Sequence, residues 1–333
     1  DRASAFSQMG ELIKVQSIER NRVIQRSDAE NALQMNLKAC DLVTSAFYDS
    51  NYDNDIKIMF PRSTYHQNVV KSYCDLGKYD ECLDHAKNSI KVLDEAYECI
   101  KEMNDEFDGK LIESLGVPIA NARSNAMLGT CRIYLRKFYH FKSLGQPFDS
   151  GEILNYAMAC VQEANIDVLV PYTELMLVSA QVYYFRLMRE AAYLYLAMFL
   201  DKQITSGKMS CGCCQQRSSK NAVTKICSHC NSTFYCSGTC QKLHWKTDNA
   251  GEVRHKLLCP LLKYWRKKWK KVLKEKEMNG ELKPGYFRWS YIEEMNEHLT
   301  ETCRDRFEEF FKSLLDKKKE QESHMPVSID DLD

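Results

Sequence analysis

Through residues 1–205, apolar side chains recur at spacings of three and four, and the strict alternation of a β-strand is nearly absent. Ser27-Asp28-Ala29-Glu30 sets an acid three residues after a serine, a capping-box start that predicts a helix to about Phe47. The Asn51–Asp55 cluster interrupts it, and a second helix is predicted over about 63–76, with Gly77 as its stop. A third follows over 79–103, and others over about 118–135, 151–164, 171–188 and 190–204. The pattern predicts stacked antiparallel helix pairs, a mainly α fold.

Within it, the segment Tyr65–Ile90 resembles one tetratricopeptide repeat. In that resemblance Tyr73 fills the large aromatic position of the first helix, and Gly77 and Tyr79 make the turn. Cys82, Ala86 and Ser89 are then the small residues that let the second helix approach its neighbour closely. Residues 123–143, with Leu135-Arg136-Lys137-Phe138, give a looser echo. An unrelated helical bundle would show the same periodicity, so the helical-pair array is the firmer expectation and the repeat the finer one.

Bulk composition changes this picture little. Formal net charge is +0, so no global field favours nucleic acid or an anionic membrane, and such binding would need a local patch. No apolar run approaches the roughly 18–20 residues of a membrane helix, which predicts a soluble chain. The cysteines say more. Of 15, eight fall between Cys211 and Cys259, whereas Cys40, Cys74, Cys82, Cys99, Cys131, Cys160 and Cys303 are scattered singly through helical sequence. Scattered cysteines suit a reducing intracellular setting, nucleus or cytoplasm, and a dense knot beside them points to metal rather than disulfides.

The knot consists of four spaced pairs: Cys211-x2-Cys214, Cys227-x2-Cys230, Cys236-x3-Cys240 and His255-x3-Cys259. Two sulfurs on one tight knuckle can share a tetrahedral ion, so four half-sites make two closed four-coordinate zinc sites, with Cys213 left over. Together with Phe234-Tyr235-Cys236 and Cys240-Gln241-Lys242-Leu243-His244-Trp245, these pairs resemble the MYND finger family. The resemblance implies interleaved sites: Cys211, Cys214, Cys236 and Cys240 on one zinc, Cys227, Cys230, His255 and Cys259 on the other. One position departs from the family, whose ligating histidine usually lies three residues after the tryptophan. That position is Asp248 here, so Asp248–Arg254 reads as an insertion. His244 competes with His255 as a ligand, but only His255 is followed by a cysteine four residues on; His229 reads as a knuckle surface residue. The resemblance also implies a groove for short proline-containing peptides at Ser228, Gln241 and Trp245. The alternative is that Trp245 only packs the finger's small core.

Beyond Cys259, Pro260 predicts a helix start. Leu261, Leu262, Trp265, Trp269, Val272 and Leu273 form a stripe, opposed by Lys263, Arg266, Lys267, Lys268, Lys270, Lys271 and Lys274. This basic amphipathic helix, 260–276, reads either as docked on the helical scaffold with solvated lysines or as a nucleic-acid contact. A last helix is predicted over about 290–319, ahead of a disordered acidic tail. The expected domains are therefore 1–205 helical repeats, 206–259 finger, 260–322 C-terminal helices and 323–333 tail. No phosphate-cradling glycine loop, His-Glu-x-x-His or Gly-x-Ser-x-Gly occurs. The signatures of SET-domain methyltransferases, some of which carry a MYND finger, are missing too. The expectation is a non-enzymatic adaptor or scaffold that binds protein partners; the alternatives are a nucleic-acid-binding regulator using 260–276 and a purely structural subunit of a larger complex.

Overall fold

The computed structural model describes residues 2–21, 25–49, 56–104, 115–145, 149–166, 173–206, 211–213, 225–246, 253–279 and 302–315. The chain divides into two compact units, Asp1–Lys137 with Asn155–Pro171, and Phe138–Leu154 with Tyr172–Asp333. The described residues are mainly helical, and successive helices pack in hairpin-like pairs.

In the first unit, α1 (Arg2–Asn21), α2 (Arg26–Asp49), α3 (Ile56–Asp75) and α4 (Tyr79–Asn104) pack each on the next. One core cluster gathers Leu33, Ala39, Cys40, Tyr65 and Val69, and a second gathers Met59, Leu93, Ala96 and Ile100 with Ile119 and Ala126 of α5 (Val117–Leu144). The small residues singled out on α4 lie in the packing seam, with Cys82 and Ser89 fully buried and Ala86 nearly so. Ser89 is not an orphan there, because its hydroxyl lies 2.8 Å from that of Ser63.

The hairpin turn itself has a clear backbone cause. Gly77 takes φ +73°, and the amides of Lys78 and Gly77 donate to the carbonyls of Tyr73 and Cys74, a Schellman cap that closes α3. In the second unit α7 (Thr173–Phe185) and α8 (Arg189–Ser206) are joined by the same turn. There Met188 and Leu187 donate to Tyr183 and Tyr184, and Leu187 holds φ 62°. A leucine in the left-handed region costs roughly 1–2 kcal/mol that a glycine avoids.

Against that turn the looser echo at 123–143 fails. These residues lie inside α5, one unbroken helix to Leu144, and Leu135–Phe138 is not a turn. Gly129 does not break it, since a lone helical glycine costs only about 1 kcal/mol, and the stop comes at Gly145 with φ +64°. The predicted start of α3 near Ser63 is also corrected to Ile56, because Pro61 is taken into the helix near its start, losing one backbone bond.

The second unit also holds α10 (His255–Met278) and a helix α11 at 302–315. α10 begins five residues before the proline expected to start it; the Arg254 carbonyl accepts the amides of Leu257 and Leu258, and Pro260 sits inside. Leu258, Leu261, Leu262 and Trp265 are buried, and the Trp265 indole donates to Asp201 of α8 at 2.7 Å. Tyr184 stacks on Phe311 at 4.1 Å, and Tyr184 and Tyr193 both donate to Glu308. The described part of the apolar stripe is thus docked, while Lys263, Lys267, Lys270, Lys271 and Lys274 are exposed. The side chains of Trp269, Val272 and Leu273, the 290–301 and 316–319 ends of the last predicted helix, and the predicted tail lie outside the described residues. Among the described residues, no helix is long and apolar enough to cross a membrane.

Candidate metal centre

The cysteine-rich segment builds on one small hairpin. β1 (Lys225–Ile226) and β2 (Phe234–Tyr235) pair antiparallel, and the Cys227–Cys230 knuckle lies between them. The knuckle is tied by its own backbone, Asn231 to Cys227 at 2.8 Å and Cys227 to Thr233 at 2.9 Å, with Asn231 at φ 52°. Asparagine tolerates that left-handed conformation better than most residues. From the other side the Gly212 amide donates to the Phe234 carbonyl at 2.8 Å. A Cβ on Gly212 would meet the Thr233 methyl at 2.6 Å, so only glycine permits this approach. α9 (Gly238–Lys246) follows, capped by Ser237, whose hydroxyl accepts the Cys240 amide at 3.1 Å.

These elements converge Cys227, Cys230, His255 and Cys259, all buried, with ligand atoms within 4.8 Å of one another. Cys227 and Cys259 sulfurs stand 3.7 Å apart, close to the ~3.8 Å edge of a tetrahedron drawn with zinc–sulfur bonds of about 2.3 Å. His255 Nε2 lies 3.6 Å from the Cys230 sulfur, near the ~3.5 Å expected of a shared ion. Its other nitrogen, Nδ1, faces the Thr233 hydroxyl at 3.4 Å, which orients Nε2 toward the sulfurs. His255 and Cys259 occupy the first turns of α10 four residues apart, so one helical face delivers both. The hydrogen bond from Cys259 pushes the Cys230 thiol down to about 3, with His255 helping and burial opposing.

A second group brings Cys211, Cys236 and Cys240 within the same 4.8 Å, with Cys236 and Cys240 sulfurs 3.4 Å apart. Cys214, expected as the fourth member, lies outside the described residues, as does 248–252 of the expected insertion. Cys213 is half-buried and close enough to raise the Cys240 thiol electrostatically, behind the effects of burial and of Cys236.

His244 is not among either group. It is buried, its Nδ1 is 3.2 Å from the Tyr235 hydroxyl, and burial followed by the nearby His255 holds it down to about 4, a neutral ring in the mini-core. His229 is exposed as expected of a knuckle residue, yet its Nδ1 reaches the Cys259 sulfur at 3.2 Å and its Nε2 faces Lys263 at 3.4 Å.

Of the three residues of the expected peptide groove, Ser228 is exposed on the knuckle and Gln241 is half-buried on α9. Trp245, one turn beyond Gln241 and on the same face, keeps 36% of its surface exposed while its ring leans on His255 at 5.7 Å. The indole therefore packs one side against the metal-ligating candidate and leaves another side open.

Comparison with known families matches residues 211–259 to the MYND finger. No curated protein and no solved structure matches the chain. A MYND finger is a zinc-binding module with protein-interaction capacity, and the clustered thiols and imidazole of this segment are of the kind that hold zinc. Residues 211–259 are a MYND zinc finger, in a chain whose N-terminal region is helical.

Proposed function

We propose that this protein is a non-enzymatic adaptor, intracellular in nucleus or cytoplasm, whose helical hairpins and MYND finger engage different protein partners. The finger would hold two structural zinc ions, one on Cys211, Cys214, Cys236 and Cys240, the other on Cys227, Cys230, His255 and Cys259. The hairpins would act as tetratricopeptide-like repeats, a reading supported by the small-residue seam at Cys82, Ala86 and Ser89. The observation that carries the finger's role is the open side of Trp245, since a lone large indole on a metal-stapled module is an apolar platform for proline rings. Gln241 on the same face would bond the backbone of an extended peptide, and exposed Ser228 would flank it.

A second reading rests on the exposed lysines of α10, which would suit a phosphate backbone once the apolar stripe is docked. Binding of the full chain to a proline-rich peptide library, wild type against Trp245→Ala, at two salt concentrations separates them. Salt-insensitive peptide binding lost in Trp245→Ala supports the groove. Absence of peptide binding with zinc content intact sinks it, and affinity for DNA or RNA that falls steeply with salt moves the function to α10.

A further inference from the structure

Away from the cysteine knot, three chemistry-bearing side chains meet inside the first unit. Cys40 of α2, His66 of α3 and His85 of α4 come from three successive helices and share no sequence spacing that would mark them. Their candidate ligand atoms nonetheless all lie within 4.8 Å of one another. Cys40 and His66 are 4% and 7% exposed, and His85 is half-buried.

The sulfur and the facing nitrogens are close enough to share one ion once the His66 ring turns, because Cys40 sulfur now lies beside that ring, 3.6 Å from Nδ1 and 3.9 Å from Nε2. Cys40 sulfur stands 3.6 Å from His66 Nδ1, against the ~3.5 Å separating sulfur and nitrogen ligands of one tetrahedral zinc. His66 Nδ1 and His85 Nδ1 are 3.0 Å apart, against ~3.3 Å for two nitrogens on the same ion, so the rings need to part by only a few tenths of an ångström. Both Nδ1 atoms point at each other, and two neutral rings can place just one proton between them. A cation between them would satisfy both lone pairs, and a turn of the His66 ring about its side-chain torsions would bring the Cys40 sulfur onto the same ion.

The surroundings favour neutral imidazole, the form that coordinates. Burial, then His85 and Arg62, pushes His66 down to about 4, and burial pushes His85 down as well, opposed by Asp84 and Asp41. The Cys40 thiol is pushed up to about 11 by burial and Asp41, with Thr44 and Arg62 opposing, so an incoming ion would displace a proton there. Asp41 and Asp84 offset the positive Arg62 around the site. Two imidazoles and a thiolate suit zinc or copper and are poor ligands for magnesium or calcium, which want oxygen.

We propose that Cys40, His66 and His85 form a third zinc site, outside the finger, with three protein ligands among the described residues. It is not a staple for its helices, whose core of Leu33, Ala39, Tyr65 and Val69 is already packed.

Zinc bound per full-length chain, measured after equilibration with zinc sulfate and gel filtration, tests this directly. Wild type should carry one equivalent more than His85→Gln and one more than Cys40→Ser, with far-UV circular dichroism unchanged in His85→Gln. In cobalt-loaded protein the sulfur-to-cobalt absorption should fall by the share of one thiolate in Cys40→Ser, and His85→Gln should alter the visible bands. Because the readout is a difference between variants, it does not depend on how many ions the finger holds. Equal zinc in wild type and folded His85→Gln would overturn the site and leave the trio as a buried hydrogen-bonded cluster.

Discussion

The finger and the helical hairpins are held together by different forces. The hairpins bury continuous apolar surface: the α3–α4 pair closes on Val69, Cys82, Leu83 and Ala86, and α8 seats Trp265 against Asp201. Among its described residues the finger has two-residue strands, one nine-residue helix and few buried large side chains beyond Tyr235, whose phenol is raised well above its usual range by burial and then by the neighbouring thiols. A segment that small cannot remove enough apolar area from water to offset its chain entropy. Metal ligation is the remaining source of stability, and a structural zinc supplies on the order of 10 kcal/mol. The lesson is that cysteine takes different roles in one chain: Cys82 fills a helix seam, whereas the finger's cysteines cluster as ligands, as Cys40 is proposed to do with His66 and His85.

This difference can be attacked from both sides. The largest effect is expected for Cys230→Ala, which removes one member of the buried foursome. One zinc equivalent should be lost and the amide spectrum of 225–246 should collapse toward random coil, as seen by NMR, while helix content by circular dichroism falls little. On the packing side, Trp265→Ala should lower stability by about 3–5 kcal/mol in urea unfolding with zinc content unchanged. Gly212→Ala should weaken zinc retention in a chelator competition without unfolding the helices, since a Cβ there meets Thr233 at 2.6 Å. The smallest effect belongs to the turn between α7 and α8. Leu187→Gly relieves φ 62° at a residue 75% exposed, and should raise stability by up to about 1 kcal/mol, whereas Gly77→Ala should lower it by a similar amount.

How much of this was legible in the sequence follows the same division. The convergence of Cys227 with Cys230 and of Cys236 with Cys240 is legible from spacing because knuckle geometry is local: two or three residues between cysteines suffice to bring both sulfurs together. The α3–α4 hairpin is legible for a similar reason, glycine being the residue type most often found at a Schellman C′ position such as that of Gly77. The matching α7–α8 turn carries no such sequence signal, because Leu187 stands where glycine would mark it and the packing tolerates the strain. The echo at 123–143 has no hairpin behind it because α5 runs unbroken through these residues, its left-handed stop coming only at Gly145. Pro260 points to a helix start five residues too late, because α10 takes the proline into its second turn and begins at His255. Nothing in the spacing of Cys40, His66 and His85 could reveal their meeting, which depends on how three helices pack.

The central claim, that metal holds the finger while apolar packing holds the hairpins, is tested most directly by hydrogen–deuterium exchange of the full chain with and without a strong zinc chelator. The account predicts that chelation abolishes protection across 225–246 and the first turn of α10, and leaves α3, α4, α7 and α8 protected. Protection that survives chelation in the finger, or that vanishes from the hairpins along with it, would contradict the account.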